Sequence, residues 1–190
     1  MSDAPTMPPR RAPIAQEIYK KLGGKSPLLK NTKAQAKALE ETLRTAHPNQ
    51  SFRCFISMRY WHPMAADTAA AVRNWNADEV VMLPLYPQFS TTTTGSSVKS
   101  WQKALVESGW TGEVRGICCY PENNGFVDAV TARLRDELSD IDQIETIRVL
   151  FSAHGLPQKI IDDGDPYQWA VERTAAAVVA RLDVPTLDWT

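Results

Sequence analysis

Short apolar runs separated by stretches of helical periodicity constrain this chain more than any other feature. The runs are F-R-C-F-I-S-M at 52–58, E-V-V-M-L-P-L at 79–85, E-V-R-G-I-C-C at 113–119 and I-R-V-L-F at 147–151. Each has the length and the β-branched or aromatic content of a strand. Between and around them, helices are expected at 15–22, 65–75, 95–108, 126–138 and 167–182, with Val98, Trp101, Ala104 and Leu105 at helix spacing. A further helix is expected from Thr32, where Thr32 and Gln35 have capping-box spacing. Strands that alternate with helices of this length indicate a parallel sheet, because parallel neighbours need a long crossover. The expected fold is α/β, a doubly wound parallel sheet with helices on both faces.

Right-handed crossovers would bring the loops that follow the strands to one sheet edge. The unusual residues fall in those loops. Arg59-Tyr60-Trp61-His62-Pro63 follows the first run, Tyr86-Pro87 the second, Tyr120-Pro121 the third and His154-Gly155 the fourth. Open α/β sheets bind ligands at the carboxyl ends of their strands. A single ligand-binding edge is therefore expected.

The second loop is the most distinctive. From 83 to 97 it reads L-P-L-Y-P-Q-F-S-T-T-T-T-G-S-S, with five hydroxyl residues in a row before Gly95. Such a row between strand and helix offers many small donors to a ligand; the alternative is a Thr-rich surface loop. His154 stands in V-L-F-S-A-H-G-L-P, flanked by Ser152, Ala153 and Gly155, which leave an imidazole room beside a bulky ligand. An imidazole can take a proton or bind a metal at neutral pH, although a histidine at a strand end also serves packing. His47 and His62 each precede a proline and read as turn and loop residues. Arg59 beside Tyr60 pairs an anion-directed guanidinium with a flat aromatic wall. Trp75 and Trp101 fit apolar helix positions and read as core.

Other classes are disfavoured. Gly24-Lys25-Ser26 imitates the end of a P-loop, but Tyr19 stands where its first glycine belongs and a helix precedes it. The net charge of −1 gives no nucleic-acid surface. No apolar stretch reaches the ~18 residues of a membrane span. Residues 1–13 read as a flexible Pro-rich leader without the apolar segment of a secretory signal. Cys54, Cys118 and Cys119 number three and lack C-x-x-C spacing, which points to reduced thiols inside a cell. Cys118 and Cys119, adjacent on an expected strand, should point to opposite faces.

The strings Y-P-Q-F-S-T-T-T-T-G-S-S and L-F-S-A-H-G-L-P, with M-R-Y-W-H-P, Y-K-K-L-G-G-K-S-P-L and G-D-P-Y, together resemble the ferrochelatase family, from Gln16 onward. Members insert ferrous iron into protoporphyrin IX to form protohaem, the last step of haem biosynthesis. The resemblance implies that His154 is the catalytic histidine, taking pyrrole protons or transiently holding the ferrous ion. It implies that Ser26 hydrogen-bonds a substrate propionate and that Tyr19, Arg59, Tyr60, Tyr86 and Thr92 contact the porphyrin. Iron is then a substrate, and no permanently bound cofactor is expected. Some members place an iron–sulfur ligand in the hydroxyl loop, where this chain has Thr91.

The resemblance also implies departures. Family members begin with a further apolar strand and continue into a second α/β half, so a chain short at both ends is expected, ending just before that half's first internal strand. The expected division is 14–145 as the first chelatase-like domain, lacking its usual first strand, and 146–190 as the histidine strand and the start of the second half. An absent first strand would leave an unpaired sheet edge inviting a dimer. The expected location is cytoplasmic, or peripheral to the membrane where a greasy substrate is collected. The alternatives are a chelatase for another tetrapyrrole or metal, and a non-catalytic tetrapyrrole-binding module.

Overall fold

A computed structural model of the chain describes residues 12–21 and 23–190. Residues 1–11 of the expected leader lie outside this range; Ala12 and Pro13 open a helix instead. The chain divides into two compact units. One comprises the chain up to Asp78 together with Lys99–Gly112, and the other comprises Glu79–Val98 with Glu113–Thr190.

The first unit holds α1 (Ala12–Lys21), α2 (Leu28–Ala46), α3 (Ala65–Trp75) and most of α4 (Ser96–Ser108). Helix α2 starts four residues before the expected capping box. Pro27, which has no N–H to waste, stands at its N-cap, and Ser26 Oγ accepts from the Leu28 amide at 3.2 Å. Thr32 is therefore inside the helix, its hydroxyl donating back to the Leu28 carbonyl at 2.9 Å. Helix α3 has the expected bounds and ends at Asn76 in the left-handed region (φ 56°). Ala69, Val72, Trp101, Ala104 and Leu105 are buried. Trp75 is half-buried and packs edge-on to Phe55 at 6.0 Å between ring centroids.

The expected strand at 52–58 is extended but joins no ladder; its one bridge pairs Met58 with Met64. Neighbouring side chains satisfy three of its backbone groups. Glu40 Oε2 accepts from the Cys54 amide at 2.7 Å, Arg44 donates to the Phe52 carbonyl at 3.2–3.3 Å, and Thr68 Oγ1 donates to the Ile56 carbonyl at 2.7 Å. Helices α2 and α3 thus take up part of what a partner strand would have bonded.

The second unit contains two separate two-stranded parallel sheets. In the first, β1 (Glu79–Met82) pairs in register with β2 (Glu113–Gly116). In the second, β3 (Arg148–Val149) pairs with β4 (Asp188–Trp189). The α/β class with parallel strands and helical crossovers stands. The strands are shorter than expected: Pro84 can donate nothing to a ladder beyond Met82. Strand β4 also corrects the expectation that the chain ends before the next strand. Cys118 and Cys119 lie beyond the end of β2, and both are exposed.

Helices α5 (Asn124–Leu138) and α7 (Tyr167–Leu182) pack together, with α6 (Gln158–Asp162) preceding α7. Helix α7 has the expected bounds and presents Ala170, Val178 and Leu182 at fourfold spacing, all buried, while Val127 and Thr131 are buried on α5. Arg181 pairs with Asp128 and donates to Asn124 Oδ1 at 3.0 Å, and Arg135 donates to the Arg181 carbonyl at 2.7 Å, closing the end of α7.

Candidate active site

Parallel pairing puts the loops after β1 and β2 at the same end of their sheet. Tyr120 joins them. Its amide donates to the Pro87 carbonyl at 2.8 Å and its hydroxyl to the Pro84 carbonyl at 2.9 Å. Burial raises the hydroxyl's pKa and keeps it a donor. Helix α7 adds a third tie, for Gln88 Nε2 donates to Thr174 Oγ1 at 2.9 Å and that hydroxyl donates to the Pro121 carbonyl at 2.8 Å. Beside this frame the Tyr86 ring is 55% exposed.

The hydroxyl run forms a turn wider than the expected start of a helix. Thr91–Gly95 is a single π-helical turn, closed by the Gly95 amide on the Ser90 carbonyl at 3.0 Å, and α4 follows it. Most of its hydroxyls hold the turn rather than point outward. Ser90 Oγ accepts from the Thr92 amide at 3.1 Å and lies 2.7 Å from Thr92 Oγ1, and Ser96 Oγ donates to the Thr92 and Thr93 carbonyls at 3.1 Å.

Asp165, only 7% exposed, anchors the turn. Its Oδ2 accepts from Ser90 Oγ (3.0 Å), the Thr91 amide (2.7 Å) and Thr91 Oγ1 (2.7 Å), while Oδ1 accepts from the Tyr167 amide (3.0 Å). Burial pushes this carboxyl upward, but the bonds from Thr91, Tyr167 and Ser90 outweigh it and hold the group below the usual carboxylate range. A depressed carboxyl adds stability that is complete above about pH 4 and is lost as pH falls through the folded value. Urea midpoints measured from pH 5 to pH 2 should therefore fall faster for the wild type than for Asp165→Asn. A constant difference between them would contradict the assignment.

Asp165 stands in G-D-P-Y, where the sequence alone assigns it no role. Its partners lie 74 and 75 residues away, so only its place next to a helix start hinted at a cap.

His154 lies on the connection between β3 and α6, exposed, with no side-chain hydrogen bond or ion pair among the described residues. Asp165 stands on the same stretch of chain, beyond α6, and ties it to the hydroxyl turn. Thr91 has both its amide and its hydroxyl committed to Asp165. Among the described residues no three His, Cys, Asp or Glu side chains gather as a metal site.

In the first unit, the exposed Tyr19 lies in α1 and its carbonyl accepts from the Gly24 amide at 2.7 Å, which folds the chain back toward Ser26. Both glycines of this turn, Gly23 and Gly24, have φ near 85°. Arg59 stacks its guanidinium over the Tyr60 ring at 4.7 Å, and that ring is 63% exposed. His62 comes within 3.9 Å of Asp67.

Two shallow hollows lie elsewhere. A shallow groove of about 550 Å³ runs between Asn124, Val127, Ala177 and Arg181 in the second unit, and one of about 280 Å³ lies beside Cys54 and Thr68 in the first. Neither is lined by any expected site residue. No helix among the described residues is long and apolar enough to cross a membrane.

Comparison with known proteins decides the family. The family described as Ferrochelatase matches residues 4–190. The chain belongs to the ferrochelatase family. Curated ferrochelatases similar to it include those of Pelagibacter ubique, 43% identical over 180 residues (95% of this chain and 52% of the relative), and Caulobacter vibrioides, 49% identical over 180 residues (95% and 51%). That of Rickettsia bellii is 49% identical over 175 residues (92% and 47%). The chain spans about half the length of these ferrochelatases.

Proposed function

We propose that the chain carries the histidine-bearing part of a ferrochelatase, a lyase that joins ferrous iron and protoporphyrin IX into protohaem with release of two protons. Beyond family membership, one observation supports this most: Tyr120 and Thr174 tie the loops after β1 and β2 together, and Asp165, on the chain between His154 and α7, bonds the hydroxyl turn. A flat ligand needs such a fixed edge, with aromatic and polar groups left exposed on it.

The residues divide the work by their chemistry. His154, exposed and without a side-chain partner among the described residues, accepts a pyrrole proton or passes on the ferrous ion, for which nitrogen is a suitable ligand. Tyr86 offers a ring face to the macrocycle, and Thr92 an oxygen. Ser26 Oγ accepts from the Leu28 amide, so its own hydrogen is free to donate to a propionate. Tyr19, Arg59 and Tyr60 supply further aromatic surface and a cation for the porphyrin. Binding energy from these remote contacts offsets the strain of bending the ring so that a nitrogen lone pair faces the metal.

The same reading takes 14–145 as a first chelatase-like domain within a doubly wound sheet and 146–190 as the histidine segment. It places the protein in the cytoplasm or at a membrane surface. It also gives β1, which pairs only with β2 among the described residues, a free edge where a dimer could form.

One other reading stands beside it, a tetrapyrrole-binding module without turnover. Porphyrin fluorescence quenching run beside a zinc-insertion assay separates the two. Quenching with metal insertion is expected. Quenching alone would support the module, and neither would overturn both.

A further inference from the structure

We propose that Asp165 is a positioning residue of the porphyrin site, fixing both the Ser90–Gly95 turn and the direction in which its hydroxyl hydrogens point. The inference rests on the porphyrin reading above and goes beyond it by stating which ligand group the turn can receive.

Counting hydrogens sets the direction. An ionised carboxylate only accepts, and a hydroxyl has one hydrogen and two lone pairs. Ser90 Oγ, 3.0 Å from Asp165 Oδ2, gives its single hydrogen there. It therefore cannot donate to Thr92, so across the 2.7 Å contact Thr92 donates to Ser90. With the Thr92 amide also donating to it, Ser90 Oγ is saturated. Thr91 spends its own hydroxyl hydrogen on Asp165 at 2.7 Å. The order runs one way, from Thr92 to Ser90 to Asp165.

Two consequences follow for a ligand. Thr92 Oγ1 keeps free lone pairs and no free hydrogen, so it can meet an N–H donor and not a carboxylate. The positive end of the turn, where a ligand anion would otherwise sit, already holds the chain's own carboxylate on the Thr91 amide. This turn thus favours the N–H face of a free-base porphyrin and leaves the propionates to groups elsewhere.

The test uses the whole chain with free-base protoporphyrin and nickel protoporphyrin, which has no N–H. The wild type should bind the free base more tightly. Asp165→Leu and Thr92→Val should each cut that preference about tenfold, the size expected for one lost hydrogen bond to a ligand. Asp165→Asn keeps an acceptor oxygen for Ser90 and Thr91, and should stay within about threefold of the wild type. Val178→Ala, which loosens the second unit from within its helix packing, should leave the preference unchanged; a loss there equal to that of Asp165→Leu would reduce Asp165 to a stability role. An unchanged preference in Asp165→Leu and Thr92→Val would overturn the proposal. A wild-type chain that binds neither porphyrin would instead sink the porphyrin reading. Hydrogen exchange at the Thr91 amide would then still decide whether Asp165 sets the turn, with protection expected in the wild type and Asp165→Asn and lost in Asp165→Leu.

Discussion

His154→Ala is expected to lower metal insertion at least about a hundredfold while porphyrin still binds within about threefold of the wild type. The separation of effects follows from where His154 sits. Its imidazole makes no side-chain hydrogen bond among the described residues, and Ser152, Ala153 and Gly155 around it are also exposed. Removing it therefore breaks no packing and frees no buried partner. On the proposed reading, what is lost is a nitrogen that takes a proton or holds the metal in the transition state, and such a loss appears in turnover rather than in binding. Fluorescence quenching reads the binding and zinc insertion reads the turnover. Turnover retained in the alanine variant would remove His154 from the chemistry.

Val178→Asp is expected to unfold the second unit. Val178 is fully buried on the face of α7 that carries Ala170 and Leu182. A carboxylate there would be cut off from water, and the cost of about 4 kcal/mol or more approaches the whole stability of a small domain. Val178→Ala removes only methyl groups and should cost about 2 kcal/mol. Urea denaturation of the two variants measures the contrast. Equal midpoints would mean that the α5–α7 packing leaves this site open to water.

The same packing explains what could be read in advance. Helices α3 and α7 came out with the expected bounds because each ends where local chemistry ends it, at Asn76 and Asp183 in the left-handed region. The segment 52–58 has a strand's composition, yet what it pairs with is decided by Glu40, Arg44 and Thr68 on two helices. No local pattern carries that information. The candidate site divides in the same way. His154, Tyr86 and the hydroxyl run were visible as unusual residues after apolar runs. That Ser90 and Thr91 are turned inward on Asp165 was not, because a string of donors does not name its acceptor. Strand β4 was missed for a plainer reason: its two residues, Asp188 and Trp189, are too few to show an alternation.

The account's central claim is that Tyr86 and His154 face one macrocycle, and ring-current shifts test it most directly. In a titration of the chain with free-base protoporphyrin followed by proton NMR, the ring resonances of both residues should shift with a single midpoint. A shift at Tyr86 with His154 unmoved, or two different midpoints, would contradict it.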